Sequence, residues 1–185
     1  MKTYISILRG INVSGKNLIK MAALKTMYES LKFENIQTYV QSGNVIFSTN
    51  ATDVKTLENK ITNQIKKDFG FEVPIIVLTT DRLAAIIKHN PFTKDNLKDA
   101  SFLHVTFLAN IPTEINKIGI EAKKLAGEAI EFTEDVIYLY CPNGYGKTKL
   151  NNNFLENKLK VTATTRNWRT VNELMKLAVS NTALF

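Results

Sequence analysis

The chain has 185 residues, 44% hydrophobic and 22% charged, with 24 Lys plus Arg against 17 Asp plus Glu and a formal net charge of +7. Such a length suits one or two domains, and this balance of apolar and charged residues excludes a disordered chain. One cysteine (Cys141) and two histidines (His89, His104) exclude a disulfide framework and a Cys/His metal centre.

The first apolar run, about five residues, is shorter than a signal-peptide core, and no later run approaches a membrane span. A soluble, reduced, cytoplasmic protein is expected, with no membrane partner and no metal. Thr3–Leu8 reads as a short β-rich run ending at the glycine-containing stretch Arg9–Asn17. Met21, Leu24, Met27, Tyr28 and Leu31 then recur at helical spacing, with Asn17 a candidate N-cap. Ile36–Gln41 and Val45–Ser48 are strand-like, divided by QSGN, a hairpin signal resting on Gly43. Asp53 opens a second helix with Val54, Leu57, Ile61, Ile65 and Phe69 on one face. Phe71–Leu78 is a strand, its Pro74 marking an edge or a strand start. This order is the split βαβ, or ferredoxin-like, unit.

Thr80–His89 predicts a connecting helix, and the polar, turn-rich Asn90–Ala100 carries a boundary between residues 1–92 and 93–185. The order then repeats. Phe102–Ala109 is a strand, and Glu114–Ala126 a helix with Ile115, Ile118, Ala122 and Leu125 inward. Strands Ala129–Phe132 and Val136–Cys141 flank the turn Thr133–Asp135, and helix Lys149–Leu159 leads to a strand at Lys160–Thr165. Arg166–Val179 adds a last helix. The fold expected is α+β: two ferredoxin-like (βαββαβ) subdomains in a pseudo-duplicated arrangement plus a C-terminal helix. The duplication is one of pattern, not of residues.

Gly10, Gly15 and Lys16 spell GxxxxGK between a strand and a helix, where a phosphate-binding loop would lie. Such a loop next needs a hydroxyl for magnesium, and here the residue is Asn17. Gly146-Lys147-Thr148 supplies the hydroxyl, but Cys141 stands where the first glycine belongs. Neither loop meets the whole pattern. Topology says more, because in a split βαβ unit the loop after the first strand and the middle hairpin share one end. Arg9, Asn12, Lys16 and Asn17 are therefore expected near Gln41, Ser42 and Asn44, as an anion or amide pocket or simply as turn residues. The same logic brings Pro142–Lys149, with Lys147 and Lys149, beside Thr164–Trp168, with Arg166 and Trp168.

Other chemistry is thinner. His89 reads as a helix-end residue, His104 as a strand residue and Cys141 as a small core residue. Glu131, Glu134 and Asp135 form a solvated acidic turn. Trp168, near Arg166 and Arg169, either stacks on a base or packs beneath the last helix. The RNA-recognition motif shares this element order, but Ser42 and Asn44 fill its two third-strand aromatic positions, which excludes the standard form. A basic strip (Lys147, Lys149, Lys158, Lys160, Arg166, Arg169, Lys176) is able to hold phosphates without reading sequence. Since 20 of the 24 basic residues are Lys, usually solvated, the excess permits an anionic partner without requiring one.

Five segments carry a resemblance. Arg9–Asn17 (RGINVSGKN), Gln41–Phe47 (QSGNVIF), Asn90–Phe92 (NPF), Pro142–Leu150 (PNGYGKTKL) and Thr165–Val171 (TRNWRTV) resemble, in order, signatures of a bacterial family, domain of unknown function 1697. The resemblance runs from about Tyr4 to Leu177. Ser14 stands where the family has a third glycine, Thr148 where it often has serine, and Thr165 in place of alanine. The resemblance implies two duplicated ferredoxin-like subdomains and supplies no reaction, substrate or cofactor. Read with the residues, it leads first to a binding module for a small anionic or nucleotide-like ligand. An enzyme acting on a phosphorylated or nucleotide substrate, with Lys16 or Lys147 stabilising charge, comes second. Sequence-indifferent nucleic-acid binding through the basic strip comes third.

Overall fold

The computed structural model describes residues 1–182, so the last three residues of the second predicted subdomain lie outside it. Internal contacts divide the chain into two units: Met1–Ala85 with the chain from Glu173 onward, and Ile86–Asn172.

In the first unit β1 (Lys2–Leu8), α1 (Met21–Ser30), β2 (Glu34–Tyr39), β3 (Asn44–Thr49), α2 (Val54–Phe69), β4 (Ile75–Thr79) and the start of α3 (Thr80–Lys88) follow in order. The strands lie as β2-β3-β1-β4, every neighbour antiparallel. That is the ferredoxin-like order. Strand alternation puts Tyr4, Leu8, Val45, Phe47, Ile75 and Val77 into one core with Leu24 and Met27 of α1 and Leu57, Ile61 and Ile65 of α2. The Phe33 and Phe47 rings stack 4.5 Å apart. Buried Tyr28 and Ser6 share a 2.7 Å hydrogen bond, and burial pushes the Tyr28 phenol well above its ordinary range. Asp53 caps α2 by accepting from the Thr56 amide at 2.7 Å, and Gly70 ends that helix in the left-handed region. The end of α6 (Trp168–Thr182) also belongs here, with Asn181 donating to the Asn35 carbonyl at 2.9 Å and Thr182 to Thr3 Oγ1 at 3.1 Å.

The second unit repeats the plan with β5 (Leu103–Leu108), α4 (Lys117–Glu121), β6 (Ala129–Phe132), β7 (Val136–Tyr140), α5 (Asn152–Leu159) and β8 (Ala163–Asn167), before α6. Its sheet runs β6-β7-β5-β8, again antiparallel. Leu108, Ile137, Leu139, Cys141 and Ala163 pack with Ile120, Leu150, Leu155 and Leu159.

Several boundaries differ from the sequence reading for local reasons. The helix predicted at Glu114–Ala126 is only Lys117–Glu121, because Asn116 caps it by accepting from the Gly119 amide at 2.9 Å. Ile118, expected inward, is 86% exposed, and Ile120 takes the buried place. Lys160 holds φ 57° as the C-cap of α5, so the last strand starts at Ala163 rather than there. Asn17 is no N-cap: Lys20 precedes α1, while Asn17 turns its carboxamide to the Gly10 carbonyl.

Candidate functional site

The pairing of Ile7 with Asn44 brings the end of β1 beside the β2–β3 hairpin. The Leu8 amide donates to the Gly43 carbonyl at 2.8 Å, and the Arg9 amide to the Pro74 carbonyl at 2.9 Å. Asn12 then ties the loop to the hairpin. Its Nδ2 donates to the Ile19 carbonyl at 3.0 Å and the Gln41 carbonyl at 2.9 Å, while its Oδ1 accepts from the Ile19 amide at 2.9 Å. Asn17 Nδ2 donates to the Gly10 carbonyl at 3.1 Å. Gly10, Asn12, Ser14, Gly15 and Asn17 all have positive φ, which suits glycine and asparagine. The loop is a self-bonded platform.

On that platform the expected residues separate into two groups. Arg9 and Ser42 are half-buried, and Lys16 and Gln41 are exposed. Asn44 lies at the same end but is fully buried, donating to the Tyr39 carbonyl at 2.9 Å and Ser42 Oγ at 3.2 Å. Asn12, Asn17 and Asn44 thus spend amide groups on the backbone and hairpin. The glycines divide likewise. A Cβ on Gly43 would stand 2.6 Å from Ile11 Cδ1 and 2.8 Å from Leu8 Cβ, so that glycine serves packing. At Gly10 and Gly15 a Cβ would meet nothing within 4 Å, leaving open space beside the backbone.

In the second unit β7 and β8 end beside the start of β5, where Leu103 faces Tyr140 and His104 faces Asn167. Lys147 and Lys149 are exposed on the loop after β7, whose Tyr145 stacks on His104 with centroids 4.8 Å apart. Arg166 alternates to the face opposite Thr165 and donates Nη1 to the Thr165 carbonyl at 3.0 Å, and Trp168 opens α6 half-buried. Lys158 and Lys160 sit at the end of α5 that leads into β8, and Lys176 pairs with Glu173 at 2.6 Å. Lys158 and Lys160 therefore lie before the start of β8, whereas Arg166 lies near its end.

Sequence reasoning gave His104 little weight. It is 9% exposed, its Nδ1 donates to the Phe102 carbonyl at 3.1 Å, and burial holds its pKa below the ordinary value. The signal lay in LHVTFL, where alternation gives His104 the same face as Leu108. Cys141 is no thiolate: burial first, then Glu128, push its pKa up to about 12 against the Thr148 hydrogen bond. Among the described residues no three His, Cys, Asp or Glu gather as metal ligands, and no helix is long and apolar enough to cross a membrane.

Two antiparallel sheets, each in ferredoxin-like strand order, define a duplicated α+β protein. The family model "Protein of unknown function (DUF1697)" matches residues 1–138, and the chain belongs to that family. Among solved structures it is similar to the conserved bacterial protein SP0830 from Streptococcus pneumoniae, with a TM-score of 0.73 and 21% identity over 96% of this chain and 98% of that one. At that identity the likeness speaks for the fold. No curated protein matches the chain.

Proposed function

We propose that the chain is a binding module for a small anionic or nucleotide-like ligand, held where the Arg9–Asn17 loop meets the Gln41–Asn44 hairpin. The observation that carries this reading is the Asn12 carboxamide, which locks loop and hairpin together at 2.9 to 3.0 Å. Arg9 and Lys16 are then cationic groups on a prepared surface, Gln41 and Ser42 supply polar contacts, and Gly10 and Gly15 leave the backbone approachable. Asn12, Asn17 and Asn44 hold that surface in shape.

Thermal unfolding with inorganic phosphate, glycerol 3-phosphate and adenosine nucleotides tests it. A ligand at about 100 times its Kd stabilises the native state by roughly 2.7 kcal/mol. Arg9→Ala and Lys16→Ala should each abolish that shift, and Lys16→Ala, at an exposed side chain, should leave the melting temperature of the free protein nearly unchanged. An enzyme acting on a phosphorylated substrate would be recognised by turnover of a metabolite panel. Nucleic-acid binding has one observation in its favour, the exposed Lys147 and Lys149 near the end of β8 that carries Arg166. Steep loss of affinity with salt would mark it, whereas a small pocket gives a shallow loss.

A further inference from the structure

We infer that the loop end of the first unit docks on an anionic lipid bilayer, a reading that rests on the anion site proposed above and names what carries the anion. Val13, Leu18 and Val40 are 56%, 67% and 48% exposed. They come from two loops, yet each is the chain neighbour of a group that the Asn12 carboxamide involves: Asn12 itself, Ile19 and Gln41. One side chain therefore gathers three solvent-facing aliphatic residues at one end of the sheet.

The charge carried by the two loops themselves has one sign. Lys16 and Lys20 are exposed and Arg9 half-buried. Neither Met1–Tyr28 nor Ile36–Thr52 contains an Asp or Glu. Aliphatic tips interleaved with cations match a bilayer that presents anionic head groups above hydrocarbon.

Val40 adds an independent mark. At φ 52° it is the one β-branched residue among the positive-φ positions of the described chain. That region crowds a branched side chain, and Asn or Gly would fit the turn better. The fold instead holds an aliphatic group outward under strain, as functional loops do. Hydropathy along the chain misses such a patch, because no segment contributes more than two of its aliphatic residues.

Sedimentation of the full chain with vesicles decides the matter. The expected result is binding to vesicles of equal parts phosphatidylglycerol and phosphatidylcholine, little binding to phosphatidylcholine alone, and release by salt. Lys16→Ala should weaken binding about fivefold, and the double change Val13→Ser, Leu18→Ser should remove it. Val40→Asn should weaken binding while holding or raising the melting temperature, which a merely structural Val40 would not do. Absence of binding to the anionic vesicles, or binding that survives these changes, overturns the inference. Stabilisation by glycerol 3-phosphate without vesicle binding sinks the bilayer and leaves the anion site standing; failure of both sinks both. Binding of an acidic Glu/Leu peptide but not of vesicles would assign the surface to a protein partner instead.

Discussion

Asn12 ties its loop to the neighbouring chain through its side chain. Its carboxamide has two donor hydrogens and an acceptor oxygen, all engaged, and its own φ of 53° is one that asparagine tolerates. Replacing it with alanine deletes three hydrogen bonds and leaves the half-buried turn strained. Asn12→Ala should therefore destabilise the protein by about 2–4 kcal/mol, read as a lower urea midpoint at unchanged slope, and should also weaken any ligand shift. A change below about 0.5 kcal/mol would show that the knot is dispensable. Sequence alone brought Asn12, Asn17 and Asn44 to the correct end of the sheet. It could not separate turn from ligand duty, because asparagine serves both with the same atoms. The separation lies in distances between chain-remote groups, such as Asn12 to Gln41.

At the scale of elements, both outer strands that follow a second helix are covered by a carboxylate from that helix. Glu58 of α2 accepts from the Val77 amide of β4 at 3.0 Å, and Glu156 of α5 accepts from the Ala163 amide of β8 at 2.9 Å. An edge strand with free amides invites pairing with another chain, and a buried acceptor blocks it. Glu58→Ala should cost about 1.5–3 kcal/mol and raise the aggregated fraction in light scattering, while Glu58→Gln, which keeps an oxygen acceptor, should aggregate far less. Equal aggregation of the two variants would refute the edge-cover role. Strands and the long helix α2 were legible because apolar period and caps agree there, as at Asp53 and Gly70. The α4 region was misread because Glu114–Ala126 carries a helical period while Asn116 and Gly119 set the cap three residues into it. A cap, not a period, fixed which isoleucine is buried.

For the whole molecule the part least visible in sequence is the return of the chain end to the first unit. Asn181 Nδ2 donates to the Asn35 carbonyl at 2.9 Å, and its Oδ1 accepts from Gln37 Nε2 at 3.1 Å, across separations of 146 and 144 residues. Periodicity reads α6 as a helix, but no local pattern states which sheet its last turn meets. Asn181 is fully buried, so Asn181→Ala strands two polar partners and should cost about 2–3 kcal/mol. That loss belongs to the first unit, whereas the single tryptophan, Trp168, lies in the second. Far-UV circular dichroism, which sees both units, should therefore begin to change at lower urea in the variant than tryptophan fluorescence does. In the unaltered protein the two curves should lie closer together. Coincident curves shifted by the same amount in Asn181→Ala would mean that the chain unfolds as one cooperative body, and the local assignment of the loss would fail.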